Sequence, residues 1–151
     1  MYKFKRKKGK KNTTAKKHVE DGITFASGLE LYCYRQLKKH KIKSQYEGET
    51  FELVEAINYS GRVYDHGKSA GKKVFKQKSG RVRNISYTPD FISRSEGFVI
   101  ETKGMRTPEF RMRFKLFFNH LQQTNQIFDV YIPSNQKEVD AAIQLILENR
   151  K

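Results

Sequence analysis

The sequence is short of cysteine, of acidic residues and of long apolar runs, and each shortage excludes a class of protein. Cys33 is the single cysteine among 151 residues, so no internal disulfide is possible and a reducing cytoplasm is expected. No stretch of about 18 apolar residues is present, so the sequence predicts no membrane span. No hydrophobic segment follows the basic N-terminus, so no secretory signal is predicted either.

Acidic residues are outnumbered almost two to one, which indicates a polyanionic partner. Sixteen Asp and Glu stand against 31 Lys and Arg, and the formal net charge is +15. Nine of the basic residues and no acid lie in residues 1–17, which are predicted to form a basic, disordered tail. Residues 18–151 are expected to form one domain around a single core. The charge favours a polyanion as partner, such as nucleic acid or an anionic membrane.

Hydrophobic spacing predicts three helices and a mixed sheet. The first helix is expected from Ser27 to His40, with Ser27 as N-cap and Glu30 at the third position, the capping-box pattern. A second helix is expected after Thr107, with Pro108 at its first position. The predicted order α-β-β-β-α-β-α indicates a mixed α/β fold whose sheet is flanked by helices. The predicted buried faces consist of Leu29, Cys33 and Leu37, then Phe110, Phe114, Phe117, Phe118 and Leu121, and finally Val139, Ile143, Ile146 and Leu147.

Residues 58–80 are rich in glycine, lysine and serine and predict a long loop or a mobile hairpin. Asp65 is the single acid there, so the pattern fits a solvated loop or an arm that contacts phosphates. The basic residues after Gly104 fit a solvated helix face or a phosphate contact equally well. The DNA-contact candidates are Lys5, Arg6, Lys7 and Lys8 in the tail, Lys72, Lys73, Arg81 and Arg83 in or beside the loop, and Arg106 and Arg111 near the second helix.

The segment YTPDFISRSEGFVIETKG, residues 87–104, places charged side chains at the ends of two apolar strands. Because strand side chains alternate, Glu101 and Lys103 are expected on one face, with Asp90 approaching from the adjacent strand. Two carboxylates in such a pocket favour a hard divalent cation such as Mg²⁺. Lys103 could then orient or deprotonate a water, or neutralise charge on the phosphorus, in phosphodiester hydrolysis. The alternatives are a turn at Asp90 and a surface ion pair between Glu101 and Lys103.

Three segments carry a resemblance to known nucleases. TPDF followed by VIETKG resembles the signature of the PD-(D/E)xK nuclease superfamily. ASGLE, YTPDF and IETKG are similar, in order and approximate spacing, to segments of the endonuclease I family of phage Holliday junction resolvases. VEDGITFASGLE and KGMRTPEFRMRFKLF resemble a phage-borne group of predicted nucleases. Together these resemblances cover residues 19 to about 132.

The resemblance implies a restriction-endonuclease-like core with Asp90 and Glu101 as metal ligands and Lys103 as the catalytic lysine. Glu30 would be the additional carboxylate that completes the metal site or holds its water, in conflict with its capping role, because one carboxylate cannot satisfy both fully. Mg²⁺ is the implied cofactor, and Mn²⁺ is expected to substitute for it. A homodimer that acts on branched DNA in the host cytoplasm, without a membrane partner, is also implied.

The leading hypothesis from the sequence is a metal-dependent, structure-selective endonuclease that hydrolyses phosphodiester bonds in branched DNA. A less selective DNA nuclease or nickase, acting in phage genome processing or host DNA degradation, is the enzyme alternative. A non-catalytic basic DNA-binding protein on a nuclease fold is the alternative of another class, and Asp90, Glu101 and Lys103 argue against it. No zinc-finger, Walker or RNA-recognition signature occurs, so DNA shape is the expected determinant.

Overall fold

Three helices and twelve short strands make up residues 16–150, the part of the chain that the computed structural model describes. The tail candidates Lys5, Arg6, Lys7 and Lys8 lie outside it. The helices are α1 (Gly28–Lys39), α2 (Pro108–Gln123) and α3 (Gln136–Asn149). The strands are β1 (His18–Glu20), β2 (Ile23–Phe25), β3 (Gln45–Tyr46), β4 (Phe51–Val54), β5 (Ile57–Asn58), β6 (Val63–Ser69), β7 (Lys72–Lys78), β8 (Arg81–Val82), β9 (Ile85–Tyr87), β10 (Phe91–Ser93), β11 (Phe98–Ile100) and β12 (Asp129–Tyr131).

The largest sheet has four strands in the order β12-β11-β10-β3. Strand β11 pairs in parallel with β12 and antiparallel with β10, which also pairs antiparallel with β3. Helix α2 connects β11 to β12 in the chain, because a parallel pair requires a long crossover. The mixed α/β class predicted from the sequence is confirmed.

Helices cover both faces of this sheet because β11 is apolar on both sides. Phe98 and Ile100 face α1 and α3 in one core, whereas Val99 between them faces α2 in a second core. All three side chains are at most 1% exposed, as in a strand buried between two layers. Strand β11 is therefore the rigid centre of the fold, and it fixes the position of the residues that follow it, Glu101 to Lys103.

Each helix begins at a side chain that caps it, including the predicted starts at Ser27 and Thr107. The side chains of Ser27, Thr107 and Asn135 each accept a hydrogen bond from the backbone N–H three residues later, and Pro108 occupies the first turn of α2. These caps satisfy N–H groups that have no partner inside the helix. The starts of α1 and α3 are thereby held in defined places, which matters because both border the candidate site.

Four side chains predicted to be buried are not fully buried. Phe118 is 45% exposed, because it lies at the margin of an apolar stripe on α2 whose centre is formed by Phe114 and Phe117. Leu29, Phe110 and Leu147 are half-buried, since Leu29 and Phe110 lie in the first turns of α1 and α2 and Leu147 lies in the last turn of α3. The predicted stripes are therefore right at their centres and too wide at their edges.

Residues 58–80 form a hairpin rather than a long loop. Strands β6 and β7 pair over seven residues each, joined by Ala70 and Gly71, whose φ angles of 47° and 77° suit a type I′ turn. The short pair β5–β8 continues toward the base of the hairpin. Gly80 is required there, because a Cβ at this position would lie 2.3 Å from the carbonyl oxygen of Tyr59. Of the two predicted alternatives, the hairpin is the one that forms.

The structure contains more strands than the sequence predicts. The residues before α1 form a hairpin of β1 and β2. Two separate strands, β4 and β5, follow β3, and β4 pairs with β9 through an irregularity between Glu52 and Val54. Within residues 16–150, no helix is long and apolar enough to cross a membrane.

Candidate active site

Asp90 and Glu101 leave the β10–β11 pair at the same edge. Phe91 and Ile100 are partners in the ladder, so Asp90, which precedes Phe91, and Glu101, which follows Ile100, are the next residues on the two strands. Thr102 holds the first carboxylate, because its N–H and its hydroxyl each donate a 2.7 Å hydrogen bond to Oδ2 of Asp90. Two acidic side chains are thereby fixed at the end of one strand pair.

The chain after β11 stays extended and carries Lys103 to the same edge. The N–H groups of Glu101 and Lys103 donate to the carbonyls of Tyr131 and Pro133, each at 2.9 Å. Glu101 and Lys103 therefore share a face, as strand alternation predicts, and Nζ of Lys103 lies 3.8 Å from Oε1 of Glu101. The same Nζ lies 5.2 Å from the centre of the Phe110 ring, at the distance of a cation–π contact.

Tyr87 is a member of this site that the sequence reasoning missed. Its hydroxyl donates a 2.8 Å hydrogen bond to Oε2 of Glu101, and its ring is buried against Phe114 and Phe117 of α2. The signal was present in the sequence, since Tyr87 opens the YTPDF segment three residues before Asp90. Only the pairing of β4 with β9 and the packing of α2 place that hydroxyl on Glu101.

Burial raises the pKa values of both carboxylates, and a neighbouring negative charge adds to the effect in each case. Loss of solvent, followed by the neighbouring charge of Glu101, raises the pKa of Asp90 to about 7, despite the hydrogen bonds from Thr102. Loss of solvent also raises the pKa of Glu101, whereas the hydrogen bond from Tyr87 and the charge of Lys103 lower it in part. The pair therefore carries a net electrostatic cost when both groups are ionised, because these contacts compensate for burial only in part.

Glu30 lies near this pair, but its carboxylate accepts hydrogen bonds at the start of its own helix, α1. Its Oε1 accepts from the Ser27 hydroxyl, and its Oε2 accepts from the N–H of Ala26 and the hydroxyl of Tyr46, at 2.7–2.8 Å. The carboxylate is 7% exposed. Its charge contributes to the raised pKa of Asp90. The predicted conflict between capping and ligation is therefore real, and the hydrogen bonds favour capping.

Glu30, Thr102 and Lys103 line one open cleft of about 620 Å³. The starts of two helices border it, with Ser27 of the α1 cap and Asn135 of the α3 cap among its lining residues. Helix starts carry partial positive charge and N–H groups, which favours anionic ligands. The cleft is large enough for part of a nucleotide, and Lys103 provides a fixed cation at its edge.

The chain belongs to a family without an assigned activity. A family model described as protein of unknown function (DUF1064) matches residues 9–134. The chain is a member of this family. The matched stretch contains Glu30, Asp90, Glu101, Lys103 and the whole β6–β7 hairpin. No curated protein and no solved structure matches the chain.

The donor set at Asp90 and Glu101 fits a Mg²⁺ ion, although the three predicted ligands do not converge. Within residues 16–150, no three His, Cys, Asp or Glu side chains are grouped so that they could hold a metal. Mg²⁺ needs only one or two carboxylates, with waters and substrate phosphate completing the octahedron. The hydrogen bonds to the Asp90 carboxylate from the described residues all use Oδ2, so Oδ1 has no partner among them. Every fully buried side-chain N or O atom of the described residues has a hydrogen-bond partner. Oδ1 is therefore not fully buried, and a ligand can reach it.

The DNA-contact candidates within residues 16–150 form two groups. Lys72, Lys73, Arg81 and Arg83 are exposed on or beside the hairpin. Arg106 and Arg111 are exposed at the start of α2, and Nη2 of Arg106 donates to the carbonyl of Ile132, next to the Pro133 carbonyl that holds Lys103. Arg106 is therefore tied to the candidate site, whereas the first group belongs to a separate arm.

Proposed function

We propose that this chain is a Mg²⁺-dependent endodeoxyribonuclease built on a restriction-endonuclease-like core. The observation that carries the proposal is the arrangement of Asp90 and Glu101 at the ends of two adjacent strands, with Nζ of Lys103 3.8 Å from Glu101. Two buried carboxylates with raised pKa values favour a divalent cation, because a cation removes the repulsion between them. The resemblance of TPDF and VIETKG to the PD-(D/E)xK signature supports the same reading.

Asp90 and Glu101 would hold the metal, and Mn²⁺ is expected to replace Mg²⁺. When bound, the ion would polarise a phosphoryl oxygen, lower the pKa of a water and stabilise the departing alkoxide. Thr102 fixes Oδ2 of Asp90 and leaves Oδ1 for ligation. Tyr87 fixes Oε2 of Glu101, so Oε1 points toward Lys103. One oxygen of each carboxylate is thus held by a protein hydrogen bond, and the other is proposed to bind the metal.

Lys103 supplies a positive charge next to the reacting phosphate. Its position follows from the hydrogen bond of its N–H to Pro133 and from the contact of its ammonium with Phe110. A cation held in this way stabilises negative charge that develops on the phosphorus oxygens and orients the attacking water. Glu30, the remaining predicted carboxylate, lines the same cleft as Lys103 and would act through its charge and through a water rather than as a direct ligand.

Branched DNA is the substrate class that the combined features favour. The net charge of +15 supports strong phosphate binding, and no base-reading motif is present in the sequence. The resemblance to the junction resolvases favours a four-way junction, recognised by its shape. Two cuts across a junction require two active sites, so the proposal includes a homodimer that works in the cytoplasm, the host's if a phage encodes the chain.

Cleavage of a labelled four-way junction and of a matched linear duplex tests the proposal. With Mg²⁺ we expect paired nicks near the branch point, and with EDTA none. An Asp90→Asn variant should bind the junction and leave it intact. Equal cutting of the linear duplex would favour the less selective nuclease, and binding without cutting in Mg²⁺ or Mn²⁺ would favour the non-catalytic DNA-binding protein.

A further inference from the structure

The β6–β7 hairpin exposes a cluster of aromatic rings that the catalytic proposal does not use. Within the described part of the chain, β6 and β7 form a two-stranded sheet of their own. Phe75 is 68% exposed and Tyr64 is 48% exposed. The rings of Tyr64 and Phe75 are stacked with centres 6.2 Å apart, and the His66 ring meets Phe75 edge-on at 5.7 Å. Large apolar rings in such a position indicate a binding surface.

The strand register puts these rings and two lysines on one face. Tyr64, His66 and Lys68 alternate along β6, and their partners on β7 are Gln77, Phe75 and Lys73. The single acid of the two strands, Asp65, is paired with Lys76 and therefore belongs to the opposite face. We define the stacking face by its members Tyr64, His66, Lys68, Lys73, Phe75 and Gln77.

Charge and ring geometry together identify the occupant of the stacking face. The two strands carry five lysines against one acid, so a second copy of this hairpin would be repelled and a polyanion attracted. Duplex DNA offers phosphates but hides the faces of its bases within the stack. Unpaired bases expose those faces, and aromatic side chains flanked by lysines bind them by stacking.

We propose that the stacking face binds unpaired DNA bases, such as those at a branch point or in a single-stranded flank. The inference rests on the proposed function, because it takes branched DNA as the substrate and names the part of it that the hairpin binds. Phosphates beside the bases would contact Lys68 and Lys73. Tyr64 and Phe75 would stack on the bases without reading their sequence, because every base has an aromatic face.

A tryptophan reporter tests the stacking directly, because the chain has no tryptophan of its own. The Phe75→Trp variant is titrated in EDTA with oligothymidine of about 20 nucleotides and with a duplex of equal length. We expect oligothymidine to quench the tryptophan fluorescence strongly and the duplex to quench it little. The affinity of Phe75→Trp for oligothymidine should equal that of the natural chain, since the ring is kept.

Truncation of the same ring supplies the second measurement. Phe75→Ala should weaken oligothymidine binding about tenfold and duplex binding less than about twofold, by fluorescence anisotropy. The matched control is Ile127→Ala, which removes a 91% exposed apolar side chain outside the hairpin and should change neither affinity. Because Phe75 is mostly exposed, the melting temperature should be unchanged.

Several outcomes would overturn the inference. If oligothymidine leaves the fluorescence of Phe75→Trp unquenched, the hairpin contacts phosphates alone. The same conclusion follows if Phe75→Ala loses equal affinity for oligothymidine and for the duplex. A dimer in sedimentation that Phe75→Ala dissolves would assign the stacking face to a second copy of the chain. Cleavage is measured separately, so a protein that cuts junctions with an unquenched reporter loses only this inference. Quenching in a protein that cuts nothing supports the stacking face and removes the nuclease proposal.

Discussion

The hydroxyl of Tyr87 donates a 2.8 Å hydrogen bond to Oε2 of Glu101, and both side chains are buried. This contact joins the small β4–β9 sheet to the edge of the central sheet and leaves Oε1 of Glu101 facing Lys103. It also lowers the pKa of Glu101 against the raising effect of burial. The position and the ionisation of the proposed metal ligand therefore depend on a tyrosine that is not among the site residues predicted from the sequence.

Removing this hydroxyl should shift the pH dependence of cleavage. In Tyr87→Phe the pKa of Glu101 rises, so we expect the acid limb of the rate profile to move to higher pH. Cleavage near neutral pH should fall about tenfold, the usual effect of losing one hydrogen bond to a charged group. The measurement is the junction cleavage rate against pH. Tyr32→Phe, which loses a hydroxyl bonded to Asp140 on the surface, is the matched control and should leave the profile in place.

Metal-free stability should decrease as the pH rises. The pKa of Asp90 is about 7 in the folded protein and ordinarily 3.8, so the folded state holds this proton more tightly than the unfolded chain does. The resulting stabilisation is complete below about pH 4 and is lost as the pH rises through about 7. At about pH 8 in EDTA, Asp90→Asn should therefore be more stable than the natural chain by roughly 1–3 kcal/mol.

Divalent metal should reverse this difference in stability between the natural chain and Asp90→Asn. Thermal melts at about pH 8 are expected to show that Mg²⁺ stabilises the natural chain, because an ion that binds only the folded state raises its stability. Asp90→Asn should show little response to Mg²⁺. Asp65→Asn, which removes an exposed carboxylate on the hairpin, should respond like the natural chain. Equal responses in all three would contradict a metal site at Asp90.

Glu30 can be tested against a carboxylate that caps another helix in the same way. Glu138 accepts hydrogen bonds from the N–H and hydroxyl of Ser134 and from Asn135 at the start of α3. Both Glu30→Gln and Glu138→Gln should lower the free energy of unfolding by about 1 kcal/mol. Only Glu30→Gln should raise the Mg²⁺ concentration needed for half-maximal cleavage, because only Glu30 lines the cleft. Identical metal dependence in the two variants would restrict Glu30 to capping.

The basic tail should account for part of the salt dependence of DNA binding. Residues 1–17 carry nine lysines and arginines and no acid. Each phosphate that they neutralise contributes about −0.9 to the slope of log affinity against log salt on duplex DNA. A chain that begins at residue 18 should therefore show a flatter slope by anisotropy titration. An unchanged slope would remove Lys5, Arg6, Lys7 and Lys8 from the interface.

Local patterns predicted the helices and the central strands well. The caps at Ser27 and Thr107 follow from side chains that accept hydrogen bonds within one turn, which depends on neighbours in sequence. The placement of Glu101 and Lys103 on one face follows from strand alternation. The prediction that Phe118 is buried was wrong, because the width of a buried stripe depends on how closely the opposing layer packs.

The sequence alone determined the charge of this protein, its mixed α/β class, and the presence of two carboxylates and a lysine at the ends of apolar strands. These features depend on composition and on short-range periodicity. Only the tertiary structure placed Tyr87 on Glu101, Thr102 on Asp90 and the rings of Tyr64 and Phe75 together on an exposed hairpin. Those contacts require strand pairing and register, which arise from the folding of the whole chain and from packing between layers.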